Sequence, residues 1–340
     1  MDRREFLALG SCALASGCLA RRPSPVGFAE GDADAFRAAV GFLSRTASAD
    51  YDRRQEALAT CQKAIYAMKG IANNVYDEYV DGGVGMPSDE VARYRALCPV
   101  FEWYDDAFDR VLREVRETAV TDAPAVWYVY NMGVIVKTRE SCFAIDLCHR
   151  KAAEAVPLLD FALVTHNHGD HWTREFVKAM GAADKPVISS FLLVRGWYTR
   201  EETAERKIRD VTVRITTTDH NDLLIKAVSC FEVSVGRGEG KAPYVIFHSG
   251  DSCRAGQFRS VTKRPDLFIG HCAVGLSFPE AYKTTMPAKR MVIAHHQELG
   301  HLWGRWRCVG FHEEPARIMA ELRTLGADVI MPVWGDRLDT

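Results

Sequence analysis

Apolar residues are arranged in two textures along the chain, and the change falls near residue 120. Between residues 31 and 120 no run alternates in the manner of a strand. Apolar positions there recur at the spacing of one helix face, as in Leu58, Cys61, Ile65, Met68 and Val75. This predicts helices over 32–44, 50–79 and 88–118. Pro87-Ser88-Asp89-Glu90 suits the start of the third, and Asp81-Gly82-Gly83-Val84-Gly85 is a turn before it. The region reads as a helical cap, with a partner-binding or substrate-covering layer as the other reading. Its aromatic cluster, Phe101, Trp103, Tyr104 and Phe108, fits either and is more often core. From residue 125 short β-rich runs follow, predicting strands over 125–130, 134–138, 142–147, 161–165, 187–190, 211–217, 223–235, 244–248, 267–270, 291–294 and 329–333. Helices are predicted over 173–180 and 313–325. Strands that first meander and then alternate with helices predict an α/β fold, two layers of sheet covered by helices.

Length and composition narrow the class. At about 150 residues per domain, 340 residues make two domains, or one large α/β domain with an extension. With 47% hydrophobic and 26% charged residues, and only 25 Gly and 13 Pro, the chain is composed to bury a core. A formal net charge of -2 supplies no general basic field, so a small-molecule substrate is expected and general nucleic-acid binding is not. The 10 cysteines include no C-x-x-C pair. Their wide spacing argues against a cysteine zinc finger or a small disulfide scaffold, and most are expected in the core.

The first residues join a charged start (Asp2, Arg3, Arg4, Glu5) to a weakly apolar run over 6–20, too short to span a bilayer. Residues 1–20 therefore read as an export signal, followed by a linker over 21–30. Arg3-Arg4-Glu5-Phe6-Leu7 resembles a twin-arginine signal. Leu14-Ala15-Ser16-Gly17-Cys18 resembles a lipoprotein processing site, in which Cys18 becomes an acylated N-terminus; an ordinary cleavage site that happens to contain Cys18 is the alternative. Both imply an exported protein, periplasmic or membrane-anchored through lipid on Cys18.

The chemistry concentrates after the run Phe161-Ala162-Leu163-Val164, where Thr165-His166-Asn167-His168-Gly169-Asp170-His171 precedes a predicted helix. A buried strand would thus deliver three imidazoles and a carboxylate to one turn. That donor set suits zinc, with iron and manganese as alternatives. H-x-H-x-D-H after a buried strand resembles the metallo-β-lactamase superfamily, and the resemblance spans about 125–337. It implies a four-layer αβ/βα sandwich over 125–340, behind a helical extension over 31–120. It also implies two divalent metal ions, the first held by His166 and His168, the second by Asp170 and His171. Further ligands are placed at later strand ends. His220 follows the strand predicted over 211–217, and Asp251 lies in His248-Ser249-Gly250-Asp251-Ser252, similar to the family's G-D-[ST] turn, where it would bridge both ions. His248 is expected inside its strand. In His295-His296-Gln297-Glu298-Leu299-Gly300-His301, His295 matches the last ligand, with His296 and His301 as alternatives.

Asp251 makes the chain resemble the glyoxalase II, lactonase and phosphodiesterase branches more than the zinc β-lactamases, which lack a bridging aspartate. Tyr128-Val129-Tyr130-Asn131-Met132-Gly133 resembles the opening strands of the lactonase-like branch. The implied activity is hydrolysis of an ester, lactone or phosphodiester by metal-bound hydroxide, with Asp170 orienting the nucleophile and carrying a proton to the leaving group. Asp146 is a candidate partner for a ligand imidazole. His296, His271 and Arg305 are candidate substrate contacts, alongside Arg195, Trp197, Tyr198, Trp306 and Arg307. His149 and His312 read as surface residues. Two alternatives remain: a non-catalytic metal-binding or partner-binding module, and a di-iron protein reducing oxygen or nitric oxide, which would need a flavin domain that the chain has no room for.

Overall fold

The computed structural model describes residues 30–67, 79, 87–192, 203–259, 261–297, 299 and 313–339. Helices come first: α1 (Glu30–Leu43), α2 (Tyr51–Ala67), α3 (Ser88–Leu97) and α4 (Pro99–Glu117). The single helix expected over 88–118 is two, because Pro99 disfavours helical backbone at the residue before it. Cys98 is extended, with φ -144° and ψ 107°, and Pro99 starts α4 where its missing N–H goes unused. The expected aromatic cluster is core: Phe101, Trp103, Tyr104 and Phe108 lie on the buried face of α4. Trp103 packs 4.3 Å from Trp334, and Glu114 accepts a hydrogen bond from Trp127 Nε1 at 2.8 Å. Arg54 of α2 is buried against Asp336 at 2.6 Å. The helices are thus joined to the sheets by packing and by a buried ion pair.

Two sheets follow, with helices packed on them, as the α/β reading expects. One runs in the order β1 (Ala125–Tyr128), β2 (Val134–Lys137), β3 (Cys142–Ile145), β4 (Phe161–Leu163), β5 (Val187–Ile188), antiparallel to β3 and parallel beyond it. A 3-10 segment (Ala152–Leu158) and α5 (Arg174–Ala182) flank its parallel half. The other sheet has the order β12-β11-β10-β9-β8-β7-β6. Its strands are β6 (Thr203–Ile208), β7 (Val211–Thr218), β8 (Val228–Val235), β9 (Tyr244–His248), β10 (Leu267–His271), β11 (Arg290–Ala294) and β12 (Asp328–Ile330). α6 (Phe278–Thr284) precedes β11, and α7 (Glu313–Thr324) precedes β12 and packs on it.

Pairing direction decides where strand ends meet. β7, β8 and β9 are successively antiparallel, so β7 runs with β9, and β9 to β12 are parallel. The C-terminal ends of β7, β9, β10 and β11 therefore share one edge of this sheet. The Ser229 N–H of β8 donates to Thr165 O at 2.8 Å, bringing the loop after β4 to that edge.

Several strands end one to three residues from the expected limits, and two differ more. The strand expected from residue 223 begins at Val228, because Asn221 Oδ1 accepts from the Leu223 and Leu224 N–H groups and turns the chain. Leu223 and Ile225 consequently face solvent. The edge strand β6 was not expected: its inward positions are only half-buried and it is dominated by charged and polar residues.

Candidate metal centre

The loop after β4 is held from below by one carboxylate. Asp146, just past β3, adopts φ 47°, which aims its side chain across to the neighbouring strand end. Its Oδ1 accepts from Thr165 N at 2.7 Å, and its Oδ2 accepts from Thr165 Oγ1 at 2.7 Å and from His171 Nδ1 at 2.8 Å. A carboxylate only accepts, so a proton sits on His171 Nδ1, and it is Nε2 that carries the lone pair whenever the ring is neutral. Thr165 Oγ1 has given its hydrogen to Asp146, so at 3.0 Å it accepts from His166 Nδ1, which frees His166 Nε2 as well. Asp146, Thr165 and the two imidazoles form one buried network that fixes both tautomers.

Other strand ends supply the remaining groups. His220 follows β7. Asp251 follows β9 through Gly250, which adopts φ 51° and presses against β8 and Thr165: a Cβ there would lie 2.8 Å from Val228 Cγ1 and 2.9 Å from Thr165 Cβ. Only glycine lets this turn come so close. His271 ends β10. His295 follows β11 with φ 63°, its N–H donating to Asn131 O at 3.1 Å. Asn131 also directs its amide to Asp170 O at 3.3 Å, so the turn between β1 and β2 steadies both residues.

These groups converge. His166, His168, His220 and Asp251 each offer an atom within 4.8 Å of the others, and so do Asp170, His171 and His295. Asp251 lies between the two sets. Its Oδ2 is 3.6 Å from His166 Nε2 and 3.5 Å from His220 Nε2, while its Oδ1 is 3.2 Å from His171 Nε2. Asp170 Oδ2 lies 3.6 Å from His171 Nε2 and 2.9 Å from His295 Nε2. His166 Nε2, His171 Nε2 and Asp251 Oδ1 are buried without a hydrogen-bond partner. Such atoms are costly to bury unless something else pairs with them, and nitrogen and carboxylate donors at this spacing fit divalent ions. His220 Nδ1 lies 3.1 Å from the Asn221 side-chain nitrogen, whose oxygen is held by the Leu223 and Leu224 N–H groups, so this contact must open before Nε2 can offer its lone pair.

The centre's electrostatics are anionic. Burial opposes charge on His171, but Asp251, Asp170 and Asp146 outweigh it and raise its pKa well above the ordinary imidazole value. Burial likewise opposes ionisation of Asp251 and Asp170, yet the surrounding imidazoles, His171 foremost, hold both below the usual carboxylate range. His166 is pushed down to about 3 by burial and the nearby His171, and burial lowers His168 too. His166 and His168 are thus kept neutral beside ionised carboxylates, as ligation requires, whereas His171 would release a proton when an ion binds.

The remaining sequence candidates divide. His271 lies in the cluster, its Nε2 3.6 Å from Asp251 Oδ2. His296 turns away: it is fully buried and stacks on Tyr128. His248 is interior, its Nε2 donating to Met132 O at 2.8 Å. His149 is not a surface residue. It is buried between Tyr104 and Phe108, with ring centroids 3.9 and 4.0 Å away, although charged Arg150 and Lys151 follow it. Cys61, Cys98, Cys142, Cys148, Cys230 and Cys272 are buried thiols, and Cys253 is half-buried. Arg195, Trp197, Tyr198, His301, Arg305, Trp306, Arg307, Cys308, His312 and the segments over 1–20 and 21–29 lie outside the described residues. Asn131 and Thr165 were not singled out from sequence; the turn Asn131-Met132-Gly133 was the available signal for the first.

No protein-family model and no curated protein matches the chain. Solved structures with similar chain traces include metal-dependent hydrolases. Igni18, a metallo hydrolase of Ignicoccus hospitalis, is 14% identical with TM-score 0.49, over 63% of this chain and 97% of that one. An isothiocyanate hydrolase from Delia radicum gut bacteria is 14% identical with TM-score 0.44, over 63% and 98%. CmlA, a diiron β-hydroxylase of Streptomyces venezuelae, is 12% identical with TM-score 0.44, over 79% of this chain and 60% of that one.

Proposed function

We propose that the protein is a hydrolase with two divalent metal ions, most simply zinc, that cleaves an ester, lactone or phosphodiester bond. His166, His168, His220 and Asp251 would hold one ion; Asp170, His171, His295 and Asp251 would hold the other. The observation that carries this reading is the position of Asp251, whose two oxygens face different imidazole sets, Oδ2 toward His166 and His220 and Oδ1 toward His171. A carboxylate so placed balances charge between two cations and fixes their separation. When bound, such ions activate water at neutral pH and polarise the oxygen of the scissile group. The chain's own residues orient and exclude. Asp146 and Thr165 lock the tautomers of His171 and His166, Asn131 steadies Asp170 and His295, and Asp170 stays ionised as an acceptor that can orient a water. Export with lipid attached at Cys18, and a helical extension over 31–120 in front of the hydrolase domain, complete the proposal from sequence.

The test is hydrolysis of a generic phosphodiester, a thioester and a lactone by the metal-loaded protein and by Asp251→Ala. Turnover of one bond class, lost in the variant and on chelation, supports the reading. Turnover that survives both contradicts it, and a loaded protein inert on all of them favours the non-catalytic module.

A further inference from the structure

We infer that His271 is a fixed hydrogen-bond donor to the reacting oxygen of the substrate and not an eighth metal ligand. The inference rests on the hydrolase reading above. By position alone His271 could be a ligand, since Asp251, His271 and His295 also offer atoms within 4.8 Å of one another. Its hydrogen bonding argues otherwise. His271 Nδ1 lies 2.8 Å from Ala273 N, and a backbone N–H can only donate, so Nδ1 must carry the lone pair. The proton of the neutral ring is then on Nε2, the atom that faces the centre, and a protonated nitrogen has no lone pair to give a metal. The ligand candidates His166 and His171 show the reverse pattern, with Nδ1 donating and Nε2 facing the centre, and His295 Nε2 meets only Asp170, a ligand candidate whose oxygen an ion would take over, whereas the Ala273 N–H is fixed backbone.

The same clamp occurs twice more in this protein. Lys151 N donates to His149 Nδ1 at 3.0 Å, and Gly250 N donates to His248 Nδ1 at 3.2 Å. In both, the Nε2–H finds a backbone carbonyl, Tyr104 O at 3.3 Å and Met132 O at 2.8 Å. His271 has no such carbonyl among the described residues. Its Nε2–H points toward Asp251 Oδ2 at 3.6 Å, beyond hydrogen-bond length. The ring cannot easily turn to another partner, because it stacks on His295 with centroids 3.8 Å apart and planes 18° apart, and it is only 4% exposed. A donor held beside the centre with its hydrogen unspent is placed to meet a carbonyl or phosphoryl oxygen as negative charge grows on it.

The experiment has two arms. In the unaltered, metal-loaded protein with labelled histidines, nitrogen NMR of the His271 ring should show the proton on Nε2; a proton on Nδ1 overturns the inference. His271→Ala and His271→Gln are then compared with the unaltered protein for metal content and steady-state kinetics. Both variants should keep the full metal content. Alanine should lower kcat about 100-fold, with KM changing less, and glutamine, whose amide can donate from a similar place, should restore part of the loss. Loss of an ion in either variant would make His271 a ligand, and an unchanged kcat with full metal would make it a spectator. An unaltered protein that binds no metal or hydrolyses nothing defeats the hydrolase reading itself, and does so before any variant is compared.

Discussion

Replacing Asp146 by Asn changes one atom and should cost the second ion most of its affinity. Asp146 accepts three hydrogen bonds, from Thr165 N, Thr165 Oγ1 and His171 Nδ1, and is wholly buried. Asparagine tolerates the φ of 47° and nearly conserves volume, so the backbone is under no new strain. Its single oxygen must stay with Thr165 N, a donor that cannot reverse. The new amide NH2 then faces Thr165 Oγ1 and His171 Nδ1. Thr165 can rotate its hydroxyl, but His171 must move its proton to Nε2 or leave a buried donor facing a donor. The first choice removes the lone pair that would hold the ion, and the second costs about 1–3 kcal/mol of stability. Changes to such supporting partners typically weaken metal affinity about 10–100-fold, or about 1.4–2.7 kcal/mol. The assay is titration of the metal-stripped protein with zinc against a competing chelator, with thermal unfolding to show that the variant is folded. The expected result is one site little changed and one weakened by at least tenfold. A folded variant that binds both ions as tightly as the parent refutes the tautomer argument, and with it the assignment of His171 as a ligand.

Other parts of the molecule give independent predictions. Burial, reinforced by Arg150 and Lys151, holds the His149 pKa well below its ordinary value, so the folded chain keeps it neutral while the unfolded chain takes up a proton below pH of about 6.5. Its stabilising contribution is therefore complete above that pH and is lost as pH falls toward the depressed folded value. The slope of unfolding free energy against pH in mildly acidic buffer should fall by about 1.4 kcal/mol per unit in His149→Phe; an unchanged slope would contradict a neutral buried ring. Arg54→Met would leave Asp336 buried without its partner, costing about 3–5 kcal/mol in urea unfolding. The double variant Arg54→Met/Asp336→Leu should recover much of that loss, and a single-variant loss under about 1 kcal/mol would show that the pair does not join α2 to the sheets.

Local signals made the first histidine-rich loop legible, because His166, His168, Asp170 and His171 sit on one turn and need only a strand before them. His220, Asp251 and His295 were placed by the resemblance to a known ligand pattern, and the parallel run of β7, β9, β10 and β11 is what brings those strand ends together. Beyond adjacency the sequence fell silent. The contact between Arg54 and Asp336 spans 282 residues, and neither residue carries a pattern that names the other. His149 read as exposed because charged neighbours outvoted it, whereas the aromatic sandwich that buries it is tertiary. The break at Cys98 was readable from Pro99, but the apolar period continues through it. β6 was missed because an edge strand with polar outward positions lacks the buried alternation by which strands are recognised. Asp146 was readable as a partner for some imidazole; which one, and therefore which tautomer, depended on the fold.

The most direct test of the central claim is the number of metal ions held per chain after metal loading and removal of excess, in the protein and in Asp251→Ala. Two ions in the parent, with the variant losing at least one, is the result expected of a carboxylate shared between two sites. One ion or none in the parent, or two retained in a folded variant, would contradict the dinuclear centre.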